Sequence, residues 1–173
     1  CDSLLNLINS PTNSDSPCTV NAKEMVLELN YEYQQLFNGH QQYFPAAEMR
    51  FGLLNDNEWF ITLPNYIHPS NMSSGFQTTI TGLKHQLINN NQWVIAVETL
   101  LVLPGGSAIY GDKNIGVIFN GIMIYTLNSQ WSLSGMMGGS TETDPRAAGG
   151  QRFNSLNPDW VLSYSPTEKI MAY

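Results

Sequence analysis

The chain has 173 residues, enough for one domain with a sizeable core. Only 12% of it is charged, about half the share found in ordinary soluble domains, and the net charge of −7 comes without any cluster of Lys or Arg. This argues against counterion-driven nucleic-acid binding and a basic membrane-surface helix, and no apolar run approaches the roughly 18 residues of a transmembrane helix. The polarity is carried instead by Asn, Gln, Ser, Thr and Gly, a mixture that suits an extracellular or outer-membrane β protein.

Residues 1–22, with Pro11 and Pro17 among many Asn and Ser, read as an irregular N-terminal segment with one short helical turn at "SLLNLI". It holds both cysteines, Cys1 and Cys18. The even-cysteine logic of exported proteins favours a disulfide between them, closing a loop worth a few kcal/mol. The alternative is a lipidated Cys1 at the start of a mature lipoprotein, against which Asp2 counts. Either reading places the protein outside the cytoplasm.

From residue 23 to 173 the sequence has a period of two and predicts a single antiparallel β domain. In "EMVLELNYEYQQLF", Met25, Leu27, Leu29, Tyr31 and Tyr33 form one face and Glu28, Asn30, Glu32 and Gln34 the other. In "AEMRFGLLNDNEWFITLP", Ala47, Met49, Phe51 and Leu53 alternate with Glu48, Arg50 and Gly52. An Asn/Asp turn leads to Trp59, Ile61 and Leu63. "GFQTTITGLKHQLI" alternates less cleanly, and Gly82 is read as a bend or bulge. "QWVIAVETLLVL", "IGVIFNGIMIYTL", "WSLSGMMGG" and "DWVLSYS" follow, and "KIMAY" begins a last strand.

The count is eight full strands and the start of a ninth. Short turns at 55–57, 89–91, 128–130 and 165–167 alternate with longer connections at about 36–45, 64–75, 104–114 and 139–158, as in transmembrane barrels. Trp59, Trp93, Tyr125, Trp131 and Trp160 are candidates for interfacial aromatic girdles.

Glu28, Glu32, Glu48, Arg50, Lys84 and Glu98 all lie opposite the apolar row of their strand. A charge facing lipid near the bilayer centre costs about 2–4 kcal/mol, whereas a polar interior can pair or hydrate it. Alternation alone leaves two readings open: a membrane barrel with these charges inside, or a soluble sandwich or lipocalin-like barrel with them in water. In the first, the charges either form a constriction or, as the favoured reading, an ion network that fills a narrow barrel and holds its register.

Nothing in the sequence predicts catalysis or a cofactor. His40, His68 and His85 lack metal-ligand spacing, no G-x-S-x-G elbow occurs, and the loops "PGGSA" and "MGGST" lead into neither a helix nor a Lys.

The ordered segments "NSPTNSDSPCTVNAKEMVLELNYEY", "AAEMRFGLLNDNEWFITLPNY", "SSGFQTTITGLKHQL", "LVLPGGSA" and "GGQRFNSLNPDWVLSYSPTEKIMAY" resemble an outer-membrane β-barrel family of meta-pathway phenol-degradation or "transporter" proteins. The resemblance covers nearly the whole chain from about Asn9 onward. It implies an all-β, antiparallel up-and-down barrel in a Gram-negative outer membrane, in contact with lipid. Its implied role is non-enzymatic passage of small, aromatic or hydrophobic solutes. Relatives are expected to continue beyond "KIMAY" with strands that close the barrel. The rival expectations are a structural or interaction subunit of an envelope assembly, homo-oligomeric or with another chain, and a soluble calyx for a lipophilic ligand.

Overall fold

The computed structural model describes residues 1, 4–9, 14–146, 148–167 and 170–172. After a short helix α1 (Leu4–Leu7), β1 (Met25–Leu36) and β2 (Gly39–Gly52) form a hairpin. The other edge of β2 pairs with two successive strands, β3 (Asn57–Thr62) and β4 (Tyr66–Pro69). These pair in turn with β6 (Ile80–Asn89) and β5 (Gly75–Phe76). The meander continues through β7 (Trp93–Val102), β8 (Gly116–Thr126), β9 (Trp131–Thr143), β10 (Arg152–Thr167) and β11 (Ile170–Ala172), each antiparallel to the one before.

All eleven strands belong to one sheet, curled as a half-barrel, and among the described residues β1 and β11 are not paired with each other. The predicted class, all-β and antiparallel with up-and-down order, is the observed one. The strand count differs because the strand expected over 75–88 is divided into β5 and β6, and because β4 lies inside the connection expected at 64–75. Pro64, which has no N–H to donate, lies between β3 and β4. Between β5 and β6 the pairing is carried on by Gln77 N–H, which donates to Asn65 O at 2.9 Å.

Other expectations are corrected too: the turn expected at 165–167 lies within β10, and the connection expected at 139–158 is shorter, because β9 runs to Thr143 and β10 begins at Arg152. The long connection at 36–45 is a tight turn at 37–38, because the polar pairs Gln34–Gln41 and Gln35–His40 extend the hairpin to Leu36–Gly39. The irregularity of the sixth strand lies between Gln86 and Ile88 rather than at Gly82. Gly82 keeps regular register and makes room for the Phe60 ring, which a Cβ there would meet at 2.6 Å.

The period of two puts polar and apolar rows on opposite faces, and the burial is inverted relative to a water-soluble sheet. Arg50 and Glu58 are 0% exposed, Lys84 1% and Glu98 2%, while Leu29 is 65% and Leu162 53% exposed. On the polar side, residues 14–20 of the N-terminal segment pack against the sheet, with Cys18 and Val20 buried.

Candidate functional site

Strand register builds the interior. Glu58 stands opposite Lys84, Lys84 opposite Glu98, and Glu98 opposite Asn120, so one polar row crosses β3, β6, β7 and β8. Neighbours in such a row lie within reach of each other. Lys84 Nζ is 3.5 Å from Glu98 Oε2, and Asn120 Nδ2 donates to Glu98 Oε1 at 2.7 Å. From β2, Arg50 reaches diagonally to Glu58, donating through Nε at 2.7 Å and Nη2 at 2.9 Å. Its Nη1 lies 3.3 Å from Glu28.

Glu28 and Glu48 face each other directly across β1 and β2, a pairing that repels when both are ionised. Asn9 sits between them. Its backbone N–H is 3.2 and 3.1 Å from the two Glu28 oxygens, and its Nδ2 donates to Glu48 at 2.8 Å. Thr62 Oγ1 also donates to Glu48 at 3.0 Å.

The same side chains hold the N-terminal segment by its main chain. Lys84 Nζ donates to Ser16 O at 2.9 Å, Gln86 Nε2 to Pro17 O at 3.2 Å, and Arg50 Nη2 to Cys18 O at 3.0 Å. Val20 N–H donates to Glu58 Oε2 at 2.8 Å, and Arg50 Nη1 also bonds Leu7 O. Pro17 brings a carbonyl into this cage without a buried N–H that would need a partner. Cys1 and Cys18 are joined in a disulfide, the first of the two alternatives, and Gln86 Nε2 is 3.2 Å from Cys1 Sγ. Gly52 makes the seating possible, because a Cβ there would land on the Asn21 carbonyl.

Five of the six predicted lining residues, Glu28, Glu48, Arg50, Lys84 and Glu98, are thus brought together. Glu32 is not. It lies past the register shift between Asn30 and Glu32, is exposed, and accepts a bond from Gln34 at 2.6 Å. Glu58, Gln86 and Asn120 are absent from the predicted lining. The signal for Glu58 was present, since it alternates with Trp59 and shares the face of Phe60 and Thr62 on β3.

Of the predicted aromatics, Trp93 packs on Tyr125 with ring centroids 4.5 Å apart, Trp131 on Tyr164 at 4.7 Å, and Trp59 on Phe51 at 5.1 Å. These pairs lie beside the turns at 53–56, 90–92 and 127–130. Trp160 sits inward of that rim, opposite Gly135, where a Cβ would lie 2.5 Å from its ring.

At the other rim a cavity of ≈ 210 Å³ lies between the sheet and residues 103–115, lined among others by Thr62, Tyr110, Asp112, Glu142, Asp144 and Phe153. Thr143 Oγ1 accepts from Lys113 N–H at 3.3 Å and Asn114 N–H at 3.4 Å, and donates to Asp112 at 3.3 Å, tying the loop to β9. Burial, reinforced by Glu142 and Asp144, pushes the Asp112 pKa above its ordinary value against the pull of the Thr143 bond. Among the described residues no group of three or more His, Cys, Asp or Glu is placed to hold a metal ion.

A family model described as "Putative MetA-pathway of phenol degradation" matches residues 8–172. No curated protein and no solved structure matches the chain significantly.

Proposed function

The chain belongs to the family whose model it matches, and from that premise we propose that it is an outer-membrane β-barrel protein with a pore-like role for small solutes, its interior occupied at rest by its own N-terminal segment. The observation that carries this reading is the inverted burial: charges turned inward and paired, large apolar side chains turned out. In water that distribution leaves apolar area exposed at about 25 cal/mol per Å². In a bilayer the same surface is solvated and the charges are shielded from lipid. Strands β9 and β10 exceed the roughly 9–11 residues a tilted strand needs to cross the hydrocarbon.

The reading is non-enzymatic. The inward charges are engaged with one another and with main-chain groups, as a structural network would be. The family description, which concerns phenol degradation, supports small aromatic molecules as the solute class.

Fractionation of cells, purification with and without detergent, and gels of boiled and unboiled samples test the proposal. Outer-membrane recovery, detergent dependence and a heat-modifiable band are expected. A monodisperse protein in detergent-free buffer would overturn it.

The open sheet supports a second reading. The outer edge of β1 presents main-chain groups that can pair with another chain, as in a subunit of an envelope assembly. A defined oligomer cross-linked through β1 would favour it.

A further inference from the structure

We propose that Asp15, on the N-terminal segment, and Glu98, on β7, share one proton and form a pH-sensitive latch, which holds the segment in the interior and lets it go as pH rises. This deepens, and rests on, the reading of that segment as the resting occupant of the interior. Glu98 is 2% exposed. Its Oε1 accepts from Asn120 Nδ2 at 2.7 Å, but Oε2 has no amide, hydroxyl or ammonium donor among the described residues. Lys84 Nζ, 3.5 Å from that oxygen, gives its hydrogen bond to Ser16 O instead. The Asp15 carboxyl bonds Glu98 from the segment. Two ionised carboxylates offer acceptors only, so a bond between them requires a proton on one. That proton is the donor Glu98 otherwise lacks.

The charges around the pair do not supply a further cation. Glu28 on β1, Glu48 on β2 and Glu58 on β3 share the interior, and Glu48 also feels the Asp15 charge. Asp159 on β10 joins the adjacent row, which runs through Met136, Ile122 and Ala96 to Gln86. Against these carboxyl groups the inward side-chain cations among the described residues are Arg50, engaged by Glu58 and Glu28, and Lys84. Ionising both members of the pair would set two like charges together out of water, the arrangement in which neighbouring carboxylates retain one proton. Once the segment withdraws, Asp15 reaches water and the proton is no longer shared. A proton bound when the segment is seated and shed on release favours seating at low pH, and that advantage is lost as pH rises.

Two measurements on the folded protein, in micelles or buffer as its solubility dictates, test the latch. Infrared difference spectra between neutral and mildly alkaline pH should show a protonated carboxyl band that disappears as pH rises. Hydrogen exchange at the Val20 amide, which donates to Glu58 at 2.8 Å, reads the seating of the segment once corrected for the intrinsic rate at each pH. Over the range in which the band disappears, Val20 protection should fall by up to about tenfold per pH unit, the slope of one linked proton. Glu98→Gln, whose amide donates without a proton to lose, should remove the band and keep protection flat. Asp15→Asn repeats the test without touching a strand. A band that survives both substitutions, protection that ignores pH in the parent protein, or a slope retained in both variants overturns the latch. Neither readout requires a membrane or a conductance, so failure here is distinct from failure of the pore reading.

Discussion

Arg50 and Glu58 form a two-pronged ion pair, Nε to Oε1 at 2.7 Å and Nη2 to Oε2 at 2.9 Å, with both side chains shut off from solvent. Planar guanidinium–carboxylate geometry of this kind fixes orientation as well as charge. Removing one partner leaves the other buried and uncompensated. Arg50→Ala should therefore destabilise the fold by about 3–5 kcal/mol, and Arg50→Met combined with Glu58→Met should cost less than the two single changes summed, although it also leaves Val20 N–H and Cys18 O without partners. The urea midpoint of the heat-modifiable band measures both. Additive effects of the single changes would remove the pair from its structural role.

Gly52 is where β2 lets the N-terminal segment through. Gly52→Ala puts a methyl group on the Asn21 carbonyl, so residues 20–21 must lift and the Val20–Glu58 bond at 2.8 Å is lost. Limited proteolysis should then cut the N-terminal segment sooner than in the parent protein. Gly121→Ala, whose Cβ meets nothing within 4 Å, should leave the digestion pattern unchanged. Identical patterns for both variants would mean that the segment does not depend on Gly52.

The Cys1–Cys18 bridge has a sequence separation of 17, a loop for which chain entropy predicts about 3 kcal/mol of stabilisation. The paired change Cys1→Ser, Cys18→Ser should lower the unfolding midpoint accordingly. It should also raise conductance in planar bilayers as the freed segment leaves the interior more often. An unchanged conductance at a lowered midpoint would confine the bridge to stability.

Asp112 lies in the loop at residues 103–115, outside the strands, and its raised pKa fixes a sign. A carboxyl that holds its proton more tightly when folded favours folding most below its unfolded value. It loses that contribution as pH rises through the elevated folded value. Anchoring of the loop should thus weaken upward from about pH 3.8, with Glu142 and Asp144 as the opposing charges. Asp112→Asn should remove this dependence and protect the Lys113 and Asn114 amides from hydrogen exchange at neutral pH. Unchanged exchange in the variant would count against it.

All four tryptophans sit on the apolar face or its rim, Trp160 at 56% exposure and Trp131 at 39%. In vesicles containing brominated lipid their emission should be strongly quenched, with Trp160 quenched at greater depth than Trp93 or Trp131. Emission that ignores the bromines would mean that this face meets protein rather than lipid.

Most of this architecture was legible because a period of two is hard to disguise. Glu48 and Arg50 flank Met49, Glu98 lies between Val97 and Thr99, and each sends its side chain away from its neighbours. Glu58 follows the same rule beside the conspicuous Trp59. The fate of Glu32 was not readable, because a register shift after Asn30 leaves no mark in the pattern. Strand β4 was not legible inside a connection that opens on Pro64, and the gap at 77–79 that divides β5 from β6 exists only through pairing with the neighbouring break between β3 and β4. Above all, nothing in residues 14–20 announces burial. Their contacts with the sheet run largely through the Ser16, Pro17 and Cys18 carbonyls and the Val20 amide, groups every sequence possesses, with the Asp15 side chain bonding Glu98 beside them.

That last property also orders events in time. The acceptors at Ser16 and Cys18 precede in the chain the cations that seek them, Lys84 and Arg50, and precede all the strands that curl around them. A sheet assembling in chain order therefore closes on a ligand already attached to it, and each buried cation meets a partner as its strand docks. The N-terminal segment is in this sense a template: a tethered mould whose backbone supplies acceptors on which the sheet is cast.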